Sequence, residues 1–206
     1  MLMKKILLIL FCSCSITSFS QNFDKGDKLI GGSLSFSVFN ANNSGPGYYH
    51  AGNAGILPSY SWFVKNNLAM GLRGSVGYSR TVQKFDNGDK RINQSLTTGV
   101  AVFFRKYKFL KEKFGIYFDN EAGGNYNSTS EINPPDGIKN RYFGASYQFS
   151  PGVFYKFSKR FIGEGNIGGV YASYFGGQGI HNVGIGATFL QYFNLGINYL
   201  IEKKKS

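Results

Sequence analysis

The chain has 206 residues and few groups suited to covalent chemistry. Cys12 and Cys14 are its only thiols, and His50 and His181 its only imidazoles. A histidine beside a serine and an acid could transfer or hydrolyse a lipid acyl chain. Neither histidine has such a pattern around it, and both fall in stretches read below as loops, so a solvated histidine is the plainer reading. Asp86-Asn87-Gly88-Asp89 has the look of a calcium-loop fragment. The remaining ligand spacing and the distal Glu are missing, and Asn-Gly in a tight turn accounts for it better. No metal site, no cofactor and no catalytic residue is expected. What remains is electrostatic: Arg73, Asp119, Glu121 and Glu164, which strand parity puts on one face, and a basic group made of Lys65, Arg105, Lys106, Lys108, Lys159 and Arg160.

The first twenty-one residues, 1–21, read as a secretory leader. Lys4 and Lys5 precede an apolar run, Ile6 to Phe11, and Ser18-Phe19-Ser20 followed by Gln21 supplies small residues where a signal peptidase cuts. The run is far shorter than the roughly 20 residues a helix needs to cross a bilayer. A lipoprotein signal is the alternative, but Phe11 and Cys12 are a poor lead-in to Cys14. Plain cleavage beside Gln21 removes both cysteines, which excludes disulfides, thiolate metal sites and a cysteine nucleophile from the mature chain, 22–206.

The elements that must position the charged groups follow from a period of two. Glycine (28) and the aromatics tyrosine (14) and phenylalanine (20) are abundant, while proline is only 5. Disordered chains rich in glycine lack such aromatics. Alternating stretches occur at Leu29–Phe39, about 54–64, 68–79, 93–105, 114–126, 141–157, 161–175 and 182–201. In the third, Leu68, Met70, Leu72, Val76 and Tyr78 alternate with Ala69, Gly71, Arg73, Ser75, Gly77 and Ser79. In the fourth, Leu96, Val100, Val102 and Phe104 oppose Thr97, Gly99 and Ala101. In the seventh, Ile167, Tyr171 and Phe175 oppose Glu164, Asn166 and Gly168. Pro58 breaks the second stretch and reads as a bulge. Between the stretches, connections alternate in length: Asn40–Asn53, Arg80–Arg91, Asn127–Asn140 and Gly176–His181 read as loops, whereas Lys65-Asn66-Asn67 and Ser158-Lys159-Arg160 are tight turns, with a moderate basic connection over Lys106 to Lys113.

Two features turn eight strands into a membrane barrel. Strands of this length exceed the 5–6 residues usual in soluble sheets and meet the roughly 9–11 a tilted membrane strand needs. Long loops on one side and short turns on the other are the outer-membrane arrangement. The soluble alternatives are a β-sandwich and a lipocalin-like barrel. Either would need a charged exterior, and the non-apolar face here is mostly Gly and Ser, which suits a narrow interior filled by side chains. The fold expected is all-β, a closed antiparallel transmembrane β-barrel of eight strands.

Leu29–Phe39, the strand-turn-strand segment Leu57 to Leu72, and the closing Phe193-Asn194-Leu195-Gly196-Ile197-Asn198-Tyr199 together resemble the outer-membrane β-barrel domain family, the small barrels of OmpA/OmpX type. The resemblance covers nearly all of the mature chain. It implies eight antiparallel strands and no wide pore, and no particular substrate. Such proteins end on an aromatic residue read by the barrel-assembly machinery, whereas Tyr199 is followed by Leu200-Ile201 and a charged tail, Glu202 to Ser206.

Net charge is +12. Strong basicity can mark nucleic-acid binding, but most of these charges fall at the short-turn end: Lys65, Arg105, Lys106, Lys108, Lys111, Lys113, Lys156, Lys159, Arg160 and Lys203 to Lys205. A solvated periplasmic rim meeting anionic headgroups is expected, with a docking surface for a periplasmic polymer as the sharper alternative. Inside, Arg73 is expected to pair with Glu121 or Glu164, since a charge buried in a narrow barrel must be paired, and to form a plug in preference to an ion gate. The expected partners are outer-membrane lipid and the assembly machinery during insertion, not nucleic acid. A periplasmic or extracellular partner is left open. The leading role is structural or surface-interacting in the bacterial outer membrane. A minor porin or small-solute channel comes second and a lipid-modifying enzyme third.

Overall fold

The computed structural model describes residues 22–42, 48–85, 88–133, 139–177 and 180–203. The proposed leader with its cysteines, Asp86-Asn87, the Pro134-Pro135-Asp136-Gly137 segment and Lys204-Lys205 lie outside them. Eight strands follow in chain order: β1 Lys28–Asn42, β2 Tyr48–Lys65, β3 Leu68–Lys84, β4 Lys90–Phe109, β5 Phe114–Asn133, β6 Lys139–Lys156, β7 Phe161–Gly177 and β8 Ile180–Ile201. Each pairs antiparallel with the next, and β8 returns to β1, closing the barrel.

The strands run further than the sequence pattern suggests. The ladder between β3 and β4 continues from Tyr78↔Leu96 up to Lys84↔Lys90, and that between β4 and β5 reaches Ile92↔Asn133. Much of the Asn/Gly/Ser-rich sequence expected in loops is therefore paired strand. Polar side chains carry no alternation of hydropathy to read, but their backbones still gain from pairing with a neighbour already in register. Strands of roughly 20 residues, at about 3.3 Å rise and ~45° tilt, reach roughly 45 Å, well beyond an apolar belt about 25 Å tall. The barrel wall thus projects past the membrane on the long-loop side.

Alternation decides which side chains face out. Val100 is 75% exposed and Ile185 85%, and Leu34, Phe36, Leu72, Leu195 and Ile197 stand out with them. Rings cluster toward both ends of this outer face: Tyr60 with Trp62 and Phe161 with Tyr199 near the short turns, Tyr126 with Phe143 near the loops. An exposed apolar belt edged by aromatics is what lipid requires.

Two expectations are corrected. Pro58 causes no bulge. Ile56↔Val76 and Ser59↔Arg73 keep one register across it, and the pairing with β3 merely lapses where proline lacks an N–H. In β7 the parity does change. The register slips between Asn166 and Gly168, and Gly168 takes a φ of 107°, which glycine adopts without strain. Beyond the slip Val170 pairs with outward Phe149, so Tyr171 and Phe175, read above as lipid-facing, lie opposite Gln148 and Gly144 on the inner side. Their rings lie over glycines: a Cβ on Gly144 would come within 2.7 Å of Phe175, and one on Gly186 within 2.7 Å of the Tyr171 hydroxyl. One inserted residue flips every later side chain to the other face.

The core is at the short-turn end, inside the barrel. Leu29, Phe63, Ala69, Tyr107, Tyr117, Phe154, Ile162 and Leu200 point inward, one from each of the eight strands, around Phe23, which precedes β1 and is 0% exposed. Phe23 stacks on Phe63 at 4.8 Å and meets Tyr107 edge-on at 4.9 Å. Its segment is tied down on both sides. Phe23 N–H donates to Asn67 Oδ1, Asn67 N–H donates to the Phe23 carbonyl, and Lys203 N–H donates to Asp27 Oδ1.

Candidate functional site: the ionic layer inside the barrel

Directly above the aromatic core, five charged side chains meet across the lumen. Register brings them there. Arg105 of β4 lies opposite Asp119 of β5, and Glu121 lies one inward position further along. Arg73 comes from β3 and Glu164 from β7. Asp119 Oδ2 accepts from both arginines, at 3.0 Å from Arg73 and 2.6 Å from Arg105. Arg73 also pairs with Glu121, and Arg105 with Glu164. The Tyr107 hydroxyl donates to Glu164 Oε1 at 2.7 Å. The guanidinium of Arg105 sits over the Tyr117 ring at 4.3 Å, and that of Arg73 over Phe103 at 4.7 Å. Planar, forked guanidinium groups suit this double duty of carboxylate pairing and ring stacking.

Three carboxylates against two guanidiniums leave a formal charge of −1. Among the described residues, Asp119 Oδ1 and Arg105 Nε have no hydrogen-bonding partner. Both residues line a small chamber of about 50 Å³ with Ser59, Asn166, Asn194 and Asn198. A polar space of this size accommodates water, which can satisfy buried polar atoms at little cost. Higher in the lumen the wall is neutral and polar. Ser95 donates to Asn127 at 2.8 Å, Asn127 to Thr97 at 2.9 Å, and Gln148 to Ser150 at 2.7 Å.

The structure therefore brings Arg73, Asp119, Glu121 and Glu164 together inside the barrel, with Arg73 paired to Glu121 and Asp119 while Glu164 pairs with Arg105. It moves one residue out of the other group. Arg105, read as part of the basic rim, is 6% exposed and forms the centre of the ionic layer. The reason is strand length: β4 continues to Phe109, so Arg105 is four residues from its end and keeps the inward parity of Thr97, Gly99 and Ala101. Lys65, Lys106, Lys108, Lys159 and Arg160 are exposed at the short-turn end. Phe23, Phe103, Tyr107 and Tyr117 were not anticipated as parts of the plug. Parity alone would have found the last three once β4 and β5 were followed inward to their ends.

Other candidates lie apart. His181 Nδ1 is 2.7 Å from the Tyr174 hydroxyl, an exposed contact at the loop end. Gly88 closes a tight turn, with its N–H donating to the Phe85 carbonyl. Among the described residues no cluster of His, Cys, Asp and Glu is arranged to hold a metal ion, and no helix is long and apolar enough to cross a membrane.

A closed ring of eight long strands, apolar outside and polar inside, with rings at the edges of its belt, defines the class: a small eight-stranded β-barrel of the outer-membrane kind. Among solved structures the chain is similar to the outer membrane protein OprG from Pseudomonas aeruginosa, at 10% identity over 89% of this chain and 99% of that one, with a TM-score of 0.49. It is also similar to Neisserial surface protein A, at 13% identity over 87% and 98% with a TM-score of 0.40, and to Ail, the attachment invasion locus protein of Yersinia pestis, at 16% over 86% and 99% with a TM-score of 0.38. No protein-family model and no curated protein sequence matches the chain. The barrel assignment rests on strand register and surface chemistry alone.

Proposed function

We propose that the protein is an integral outer-membrane barrel with a sealed, non-conducting body and a structural or surface-interaction role exercised through its long-loop end. The observation that carries this reading is the double obstruction of the lumen: an ionic layer of Arg73, Arg105, Asp119, Glu121 and Glu164, backed by the aromatic layer around Phe23. Eight strands enclose only enough space for side chains to fill, and here large ones fill it. The mature protein reconstituted in planar bilayers is expected to give no discrete openings. Reproducible unitary currents would overturn the sealed reading in favour of a small-solute channel.

Residues 1–21 are read as the leader and 22–206 as the barrel. This is supported by the burial of Phe23 immediately after the proposed cut, and the mass of the mature N-terminus tests it. Outer-membrane lipid is the constant partner and the assembly machinery a transient one. The protein is read as non-catalytic. Replacing His50 and His181 is expected to leave the acylation of membrane lipids unchanged, and an altered lipid profile would restore the enzyme reading.

A further inference from the structure

At the short-turn end the outer wall is divided into two unlike halves. On β1 to β4 the outward positions nearest that end are basic. Register sets them in two rows, Lys28↔Trp62↔Met70↔Phe104 and, nearer the turns, Lys65↔Leu68↔Lys106. Lys108 stands one outward position beyond Lys106 on β4. These residues alternate with the buried, inward Leu29, Ala69, Arg105 and Tyr107. Lys28, Lys65, Lys106 and Lys108 are exposed, and among the described residues none of the four side chains makes a hydrogen bond or ion pair. On β5 to β8 the same end is aromatic. Phe114, Tyr155, Phe157 and Phe161 are exposed there. Tyr155 meets Phe157 edge-on at 5.2 Å, Phe161 meets Tyr199 edge-on at 5.4 Å, and Arg160 donates to the Tyr199 hydroxyl at 2.9 Å.

The charge of the basic half has no counterpart on its own strands, since β1 to β4 carry no acidic residue along their whole length. Four acids of the chain belong to this end: Asp24 and Asp27 before β1, Glu112 in the turn after β4, and Glu202 after β8. Asp27 is buried and accepts from the Asp24 and Lys203 N–H groups. Residues 1–21 and 204–206, outside the described set, hold no acidic side chain. Directly above the lysines lie Trp62, Leu68, Met70 and Phe104, so cations border an apolar wall in the order of an amphiphile's headgroup and tails. Two strand spacings of about 4.8 Å put roughly 10 Å between the Lys65 and Lys106 backbones on either side of Leu68. Flexible lysyl stems snorkel along apolar surface and can converge on one phosphate from there. The four lysines project sideways from strands, toward lipid, whereas a polymer below the membrane would be met by turn tips. Short turns face the periplasm in this class, so the rows lie at the periplasmic leaflet.

We propose that the β1 to β4 half of this rim is a binding site for an anionic glycerophospholipid of the periplasmic leaflet, its phosphate held among Lys28, Lys65, Lys106 and Lys108 and its acyl chains rising over Trp62, Met70 and Phe104. The aromatic half, on β5 to β8, has no such preference. The proposal goes beyond the structural role above and does not depend on whether the lumen conducts.

The test uses the refolded mature barrel in a zwitterionic detergent, titrated with phosphatidylglycerol and with phosphatidylethanolamine of the same acyl chains, and read by native mass spectrometry. The wild type is expected to bind phosphatidylglycerol at least about tenfold more tightly, a modest demand on four lysines each able to contribute about fivefold at an anionic headgroup. The preference should shrink severalfold between about 0.05 M and about 0.5 M salt. Lys28→Gln/Lys65→Gln/Lys106→Gln/Lys108→Gln should abolish it. Lys106→Gln/Lys108→Gln should lower it severalfold, which keeps the test valid if the fourfold variant fails to fold. Lys111→Gln/Lys113→Gln/Lys159→Gln/Arg160→Gln removes the same charge from the turns of this end and should keep the preference. Equal affinity for the two lipids, a preference that survives loss of Lys106 and Lys108 undiminished, or an equal loss in the turn variant would overturn the proposal. So would co-sedimentation with purified peptidoglycan that depends on the four lysines in a barrel without lipid preference, which would assign them to a polymer.

Discussion

Replacing Arg105 with methionine is the most informative perturbation of the lumen, because it keeps much of the apolar stem and removes only the charge. In the wild type the Arg105 side chain is 7% exposed and holds Asp119 and Glu164. Without it, Arg73 alone faces three carboxylates and the layer's formal charge goes from −1 to −2. Asp119 keeps Arg73 at 3.0 Å, but Glu164 keeps only the Tyr107 hydroxyl at 2.7 Å. Breaking a buried pair by removing one partner costs about 3–5 kcal/mol, more than a hundredfold in the unfolding equilibrium. The double variant Arg105→Met/Glu164→Met returns the charge to −1 and replaces the pair by apolar side chains, a nearly neutral exchange. It leaves the Tyr107 hydroxyl without its acceptor, at about 1–3 kcal/mol. The double variant should therefore be more stable than the single one, although it carries one more substitution. Urea unfolding in phospholipid vesicles measures this, with Trp62, the one tryptophan, as the fluorescent probe. A cost below about 1 kcal/mol for Arg105→Met, or a double variant no more stable than the single, would show that the layer is solvated and that pairing does not hold it.

Phe23→Ala should cost about 3–5 kcal/mol if the segment stays seated, or else release it. Hydrogen exchange at the amides of Asn67 and Gly26, which bond to or from this segment, separates the two outcomes. Gly152→Ala should destabilise the barrel by about 1–3 kcal/mol through overpacking, since its Cβ would fall 2.2 Å from the Tyr117 ring. Val102→Arg, in the exposed apolar belt, should cost about 2–4 kcal/mol in a bilayer and much less in urea titrations of a detergent-solubilised barrel.

The number of strands and the outward face of most of them were legible in the sequence because lipid demands apolar residues at every second position, and Leu72, Val76, Val100 and Val102 report that demand directly. The ionic layer was legible for the same reason in reverse: Arg73, Asp119, Glu121 and Glu164 stand where apolar alternation leaves the inside. What could not be read was everything that depends on where a strand stops. Arg105 looked like a turn residue because Lys106 to Lys113 is basic, yet Phe103, Arg105 and Tyr107 continue the inward series. The slip at Gly168 was equally hidden, since Tyr171 and Phe175 are as apolar inside the barrel mouth as they would be in lipid. Phe23 lies outside any alternating stretch, and no pattern in the chain marks it as core.

The bond from Lys203 N–H to Asp27 Oδ1 joins residues 176 positions apart, and this separation sets the order of assembly. Seven of the eight ladders join strands adjacent in sequence, while the ladder of β1 with β8 closes the ring and extends only from Lys28↔Ile201 to Phe36↔Phe193. Pairing across so long a chain is slow. The Phe23 segment is bounded by Asn67 on one side and by Lys203 on the other, and the cavity around it includes Leu200. That cavity is complete only after β8 has docked, so the quenching of hydrogen exchange around Phe23 is a clock for ring closure, distinct from the earlier growth of the sheet.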